Sequence, residues 1–589
     1  MSDRRPISRR QFLKHAMIGI SAAASPALLA ACGGSPSVAP TSVPATAAPS
    51  ASQATQAAAP TAAAAPTTAP AVEPVSVPAA TTGEIKILTS GWPLTPMPTT
   101  EDINADPAKK GYAEALQTWL DQNPGVVFEQ VEVNIWDQQA IVTAISGGTA
   151  PTYVFANAIG NWSLAGARAA FVQGLVADIT PQVEKYGLQG KLTDIVRQRW
   201  EQVSNVDGKY YNYIIDASVN GALWYRRDLI KELGLKEPTI DWTWQDLREL
   251  AKGLTSEKDR RKGFGAQNWM VGYMLALHGF DILGTVPSPQ TAWNWSKDFS
   301  DPRWAQLVNE WRKMVFEDKS VYTDAALGGG DDEYFKAFIN GSACIVRVNT
   351  LAAFGSSAQE ESPAAMAKRL GKKYEELIGF APLPRGDGYF QGGVNADGGV
   401  SCSPDSSPEV IDKAIGAVDY MFLGKGWDIQ KAGQYEATKD LQAVFNYYLP
   451  VDGRYQYEGV PGTFAEAWGQ TTLDSLLAIA RLPREPDRAF YFPAEKNPAP
   501  DNKAIDDAWS TFTYVADTVD VEAELKKAQD TWNTQADSLP SSIDDVTFAS
   551  SAQAYFKALD GFFAQHMSDF YKNRFRPWYE SKVLPVLKG

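Results

Sequence analysis

Apolar and polar residues alternate from Glu84 to Leu88, and the pattern breaks at Gly91-Trp92-Pro93, which predicts a strand running into a loop. Residues 111–122 carry apolar and aromatic side chains at helical spacing and stop at Asn123-Pro124. A second strand is predicted over 126–135, then a helix over 136–146 closed by Gly147-Gly148, then a third strand over 151–156. Strand, helix, strand, helix, strand at short intervals predicts an α/β fold, a mainly parallel sheet covered by helices. In such sheets ligands bind at loops beyond the carboxyl ends of the strands. Here those loops contain Trp92, Trp136 with Asp137, and Asn157 with Trp162.

The pattern continues to the far end of the chain. An extended run over 208–216 ends in Asp216, and Ala222-Leu-Trp-Tyr-Arg226 predicts another strand. Thr243 is placed to cap a helix. A helix over 334–339 stops at Asn340-Gly341, and a strand over 343–348 carries Arg347 at its end with Asn349 just beyond. Residues 395–402 predict a turn entering a strand, and 408–422 a helix. Residues 424–497 are irregular, 504–533 helical, and 550–588 place aromatics at helical spacing. There is no internal repeat.

The amino terminus follows a different rule. Ser8-Arg9-Arg10-Gln11-Phe12-Leu13-Lys14 precedes an apolar stretch over 16–31, too short and too rich in Ala, Ser and Gly to span a membrane. It ends in Leu29-Ala30-Ala31-Cys32-Gly33. The paired arginines resemble a twin-arginine export signal, and the small residues before cysteine resemble a lipobox. Both imply that residues 1–31 are removed and that a lipid on Cys32 anchors the chain at the outer face of the cytoplasmic membrane. Residues 33–82 are almost entirely Ala, Pro, Ser, Thr and Val, with Glu73 their one charge. They predict a tether with a reach of up to about 150 Å at roughly 3.1 Å per residue.

Charge and cysteine count narrow the partners. The chain carries a net −15, and the signal itself is +4, so the exported remainder stands at −19. That balance argues against a nucleic-acid partner. Cys344 and Cys402 both lie in apolar stretches. A disulfide and two buried free thiols both fit; folding in a reducing cytoplasm before export favours the thiols.

The order of the pieces resembles the family-1 extracellular solute-binding proteins of ABC importers, the maltodextrin-binding-protein class. The resemblance rests on Gly147-Gly148-Thr149-Ala150-Pro151 before a strand, Gly174-Leu-Val-Ala-Asp-Ile179, and Val206-Asp-Gly-Lys-Tyr210. It continues through Leu223-Trp-Tyr-Arg-Arg-Asp-Leu229, Leu233-Gly-Leu235, Thr243-Trp-Gln-Asp-Leu247 and Phe338-Ile-Asn-Gly-Ser-Ala343. Ala381-Pro-Leu-Pro-Arg-Gly386, Gly398-Gly399 and residues 521–529 complete it. The family's usual proline before the first interlobe crossing is replaced by Ile214-Ile215, residues 424–497 look expanded, and the tail after Ala536 has no counterpart. The resemblance implies a two-lobed periplasmic-binding-protein-like fold of type II with a ligand cleft between the lobes. Lobe one takes 83–215 and 395–497, lobe two 216–394 and 498–540, and 541–589 form a helical extension. It also implies capture of a small-molecule solute of carbohydrate type, delivery to an ABC transporter permease, and no cofactor.

Aromatic content supports such a ligand: 18 Trp, 23 Tyr and 25 Phe. A sugar offers an apolar face to aromatic rings and a polar rim to Asp, Asn, Gln or Arg. Candidate contacts are Trp92, Trp136, Asp137, Asn157, Trp162, Asp216, Asn268, Trp269, Arg347, Asn349, Asn395, Asp397, Trp468 and Trp509, with Trp293-Asn294-Trp295 as a further polar-aromatic cluster. Each competes with a packing role; Trp119, Trp224, Trp244 and Trp304 are read as core. Catalysis finds little support. The three histidines, His15, His278 and His566, are far apart, and His-Glu-x-x-His, Gly-x-Ser-x-Gly and phosphate-binding glycine loops are absent. Paired carboxylates are common in an acidic chain, so an exported glycoside hydrolase stands as the alternative.

Overall fold

The alternating run near the start of the globular part forms β1 (Ile85–Thr89). The computed structural model describes residues 84–588 apart from 161, 220–221, 267–268, 289, 292, 324–330, 348–361, 397–398, 447–448, 493–499, 541–542 and the side chains of 331–333. The signal, Cys32, the tether, Asn268, Asn349 and Asp397 therefore lie outside the described residues. Residues 82–589 form one unit.

Along the chain, β1 is followed by β2 (Val126–Gln130), β3 (Tyr153–Val154), β4 (Tyr213–Ile214), β5 (Ser218–Val219) and β6 (Ala222–Arg226). Then come β7 (Lys262–Gly265), β8 (Val321–Tyr322), β9 (Ala343–Val346), β10 (Ile378–Pro382), β11 (Val394–Asn395) and β12 (Gly399–Cys402). The second strand ends at Gln130, short of the expected 135, because the chain turns away toward Asn134 and Trp136.

Lobe one is built on β1 and β2, which run parallel with Ile85 opposite Val126. Thr152 N–H donates to Leu88 O at 2.8 Å, which sets β3 beside β1. β12 lies antiparallel between β3 and β4. Lobe two holds a five-stranded sheet in the order β8-β7-β9-β6-β10. β7, β8 and β9 run parallel, and β6 runs against β9 and β10. Every residue of β6, β9 and β10 is buried, as in a sheet covered on both faces.

The segment over 424–497 that defied sequence patterning is helical where it meets lobe one. Helix Lys425–Thr438 lies along helix Lys109–Gln122. The two backbones meet at glycines: a Cβ on Gly111 would stand 2.8 Å from Gln430 O and 3.0 Å from Gly433 Cα. Helix Gln470–Ala480 packs on β10, a strand of lobe two. The division expected at Asn497 is thus blurred, because the lobe-one core of Ile87, Trp200 and Ile415 runs through Leu476 and Ile479 to Trp224 and Phe380.

The carboxyl-terminal extension belongs to the core of lobe two. Helix Asp545–His566 buries Phe548, Tyr555, Phe556, Leu559 and Phe563. Trp295 is ringed by Phe492 at 5.3 Å, Phe548 at 5.2 Å and Phe556 at 6.2 Å. Each large side chain buried this way contributes about 1.5–3 kcal/mol before ordering entropy is subtracted. Trp293, Asn294 and Trp295, expected as a polar-aromatic contact cluster, are core residues for this reason. Cys344 and Cys402 are buried free thiols on β9 and β12. Burial pushes both up to about 12, which keeps them protonated and unreactive.

Three segments pass between the lobes. β5 in the first pairs antiparallel with β11 in the second, Ser218 opposite Asn395. In the third, Arg484 donates to Val394 O at 3.0 Å and to the Asn395 side-chain oxygen. Phe490 of the same segment lies under the guanidinium groups of Arg168 at 5.3 Å and Arg199 at 5.0 Å, both in lobe one. Arg488 lies over Trp295 at 4.9 Å in lobe two. Between these anchors Tyr389 donates to Glu485 at 2.6 Å.

Burial pushes the Glu485 carboxyl up to about 7 from an ordinary 4.5. Between those values the folded state keeps a proton that the unfolded state has released. The stability contributed by this group therefore falls as pH rises through that window. Lys297 and Lys431 are shifted in the opposite sense, to about 8 and about 7, so their effect lies at higher pH. Glu485→Gln is expected to flatten the fall in melting temperature between about pH 4.5 and 7. An unchanged slope in calorimetric melts across that range would remove Glu485 as its source.

Candidate functional site

The loops at the carboxyl ends of β1, β2 and β3 bring four aromatic rings together. Trp92 follows β1; Trp136 follows β2; Phe155 follows β3; Trp162 follows the short helix Ala156–Ile159. Trp92 meets Trp136 edge-on at 5.4 Å and Phe155 at 5.3 Å. Phe155 lies 5.0 Å from Trp136 and 5.7 Å from Trp162. The Trp136 and Trp162 rings are nearly parallel, 12° apart, with centroids 6.2 Å from each other. Trp136 is 43% exposed and Trp162 60% exposed, so flat indole surface faces solvent above a floor made by Phe155. A sugar ring between two indoles would need two contacts of about 3.5–4.0 Å, more than this gap allows. Only the outer faces of the two indoles leave room for such a contact.

Local chemistry holds the rings in place. The Asn134 side chain accepts from Trp136 N–H at 3.0 Å. Trp162 adopts φ 58°, unusual for a bulky residue, and its N–H donates to Asn157 O at 2.6 Å. Gly160 and Gly166 make that turn possible, since a Cβ on Gly160 would stand 2.1 Å from Ala167 N. Gln138 ties the two loops by donating to Ile159 O at 3.1 Å.

Asp137 has a structural task beside the contact expected of it. Its carboxylate accepts from Ala140 N–H at 2.7 Å and caps helix Gln138–Gly147. Asn157 is half-buried beneath Trp162, and Asp216 is half-buried between β4 and β5.

In lobe two, the carboxyl ends of parallel strands again carry the candidates. Trp269 follows β7 and opens helix Met270–Ala276; Arg347 follows β9. The guanidinium of Arg347 lies 5.3 Å from the Trp269 ring and 4.8 Å from Tyr273. The two rings meet edge-on at 5.8 Å.

Three further candidates are placed elsewhere. The Asn395 side chain accepts from Arg484 and serves the crossing. Trp468 is 0% exposed, donates to Phe445 O at 2.7 Å and packs against Tyr374. Trp509 is buried against Phe280, Phe512 and Gly272. Both tryptophans point into the core because each sits on the apolar stripe of a helix, Phe464–Trp468 and Lys503–Tyr514. Trp119, Trp224, Trp244 and Trp304 are buried as read. Phe155 and Tyr273 were missed. Phe155 reads as one more apolar strand residue, whereas Tyr273 stands one helical turn after Trp269, a spacing that places both on one face. Among the described residues, no three His, Cys, Asp or Glu side chains stand close enough to hold a metal ion.

These placements separate packing from contact. Trp468→Ala is expected to cost about 3–5 kcal/mol of stability in denaturant unfolding. Trp162→Ala, at an exposed ring, is expected to change stability by no more than about 0.5 kcal/mol. The reverse order of the two would place Trp162 in the core.

Residues 103–399 match the family model of bacterial extracellular solute-binding proteins. A protein described as a binding protein in Brucella abortus strain 2308 is 29% identical over 192 residues, which span 30% of this chain and 42% of that protein's length. Solved structures of similar fold include a maltose-bound protein of T. maritima, at TM-score 0.48 and 17% identity over 76% of this chain and 98% of that one. A Mycobacterium tuberculosis protein in complex with glycerophosphocholine aligns at TM-score 0.47 and 14% identity over 77% of this chain and 98% of that one.

Proposed function

The chain belongs to the bacterial extracellular solute-binding protein family, and from that premise we propose that it captures a carbohydrate between its lobes and delivers it to an ABC transporter permease. It works outside the cytoplasm, as the family does. The observation that carries the ligand class is the solvent-facing platform of Trp92, Trp136 and Trp162 over Phe155. Flat aromatic surface at strand ends suits the apolar face of a sugar ring. Trp269, Tyr273 and Arg347 form the counterpart in lobe two. A solute that touches both lobes gains contacts only when they are closed, and stabilises closure by that difference.

The protein binds without chemical turnover in this reading, and a lipid on Cys32 holds it beside the permease. The tether then raises the effective concentration of loaded receptor at the membrane. Cys32→Ser is expected to move the protein from the membrane fraction to the soluble fraction of exported material, and retention in the membrane would exclude the lipid anchor.

Melting curves of the purified globular part against mono- and oligosaccharides test the ligand class. Saturation at 100 times Kd is expected to stabilise by about 2.7 kcal/mol. Trp136→Ala is expected to weaken binding about tenfold or more, the scale of a truncated aromatic anchor. Release of shortened sugars in the same incubations would make the chain a glycoside hydrolase instead.

A further inference from the structure

Arg347, like Arg385 over Phe390, lies on aromatic faces with its Nε unpartnered, unlike many other arginines of this acidic chain. Arg226 pairs with Asp228 at 2.8 Å, Arg248 with Asp318 at 2.9 Å, Arg303 with Asp387 at 3.0 Å and Arg574 with Asp301 at 2.9 Å. Arg312 donates to the carbonyls of Phe512, Val515 and Asp517. Among the described residues Arg347 has no carboxylate partner. Among the same residues it rests on the rings of Trp269 and Tyr273, and its Nε is enclosed without an acceptor.

Aromatic faces steady a guanidinium plane but accept none of its in-plane hydrogens. Among the described residues no carboxylate compensates this charge, which is half-buried at the carboxyl end of β9, on the strand ends where ligands of such sheets bind. The remaining Nη donors form a planar fork. That fork matches two oxygens of one oxyanion, whereas a neutral hydroxyl supplies a single oxygen and no charge.

We infer that the solute carries an oxyanion, as the carboxylate of an acidic sugar or the phosphate of a phosphorylated one, and that Arg347 selects it. This rests on the carbohydrate reading above and adds the charge of the ligand to it. In an acidic protein the bulk field repels anions at long range. Selection must therefore come from a short-range contact, which is what one pre-oriented arginine provides.

The test is titration calorimetry of the globular protein with three probes: a neutral oligosaccharide, its uronate counterpart and a sugar phosphate. One of the two acidic probes is expected to bind about 30- to 100-fold more tightly than the neutral one, and the winner identifies the oxyanion. Arg347→Gln is expected to erase that preference, while Arg347→Lys, which keeps the charge but loses the fork, retains part of it. The unliganded melting temperature of each variant checks that the fold is intact. Equal binding of neutral and acidic sugars by the unaltered protein overturns the inference and leaves carbohydrate capture standing, as does a preference that survives Arg347→Gln. Failure of every sugar to bind overturns both.

Discussion

The chain passes between its lobes three times, and the pairing that joins those passages is short. Two residues of β5 face two of β11, and Arg484 fastens the third passage to the second through Val394 O and the Asn395 side chain. Two-residue pairings resist rotation far less than the five-stranded sheet of lobe two, whose strands are buried on both faces. Beside these short pairings, one core runs between the lobes through Leu476 and Ile479 to Trp224 and Phe380. The third passage is anchored at both ends by arginine on aromatic rings, Phe490 on one side and Trp295 on the other. Such contacts tolerate sliding better than interlocked core packing does, which suits a joint.

Position relative to the strands explains why the aromatic rings divide as they do. Trp224 in the middle of β6 is enclosed by Phe335, Phe338 and Phe380. Trp136 and Trp162, just past strand ends, are 43% and 60% exposed. Trp136 and Trp162 keep open faces there because the loops that carry them are pinned from below by Phe155, Asn134 and the Gly160–Gly166 contact. A platform built this way is held in place before any ligand arrives.

The extension after residue 540 is structural in the same sense. Phe570 lies 5.0 Å from Tyr389, and Tyr555 lies 5.6 Å from Tyr491. It thus reaches residues next to the second and third passages as well as the core of lobe two. A longer chain than the fold requires has gained a larger core and a buttress beside its joint.

Sequence periodicity alone determined the strand-and-helix order that opens lobe one, its parallel core, the cap at Thr243 and the aromatic loops after β1, β2 and β3. These are local properties: spacing along a strand or helix dictates which face is apolar, and strand ends are visible where the pattern breaks. Which tryptophans touch solvent was a different matter. Trp468 and Trp509 carry the same residue type as Trp136, yet lie on helix stripes that the fold turns inward. Asp137 and Asn395 were legible as polar residues in the right loops, but a helix N-terminus and Arg484 claim them. Phe155 looked like one more strand residue until three rings converged on it. Neighbours distant in sequence made those choices, through burial and hydrogen bonding that a linear pattern does not contain. That is why only the tertiary structure decided the site.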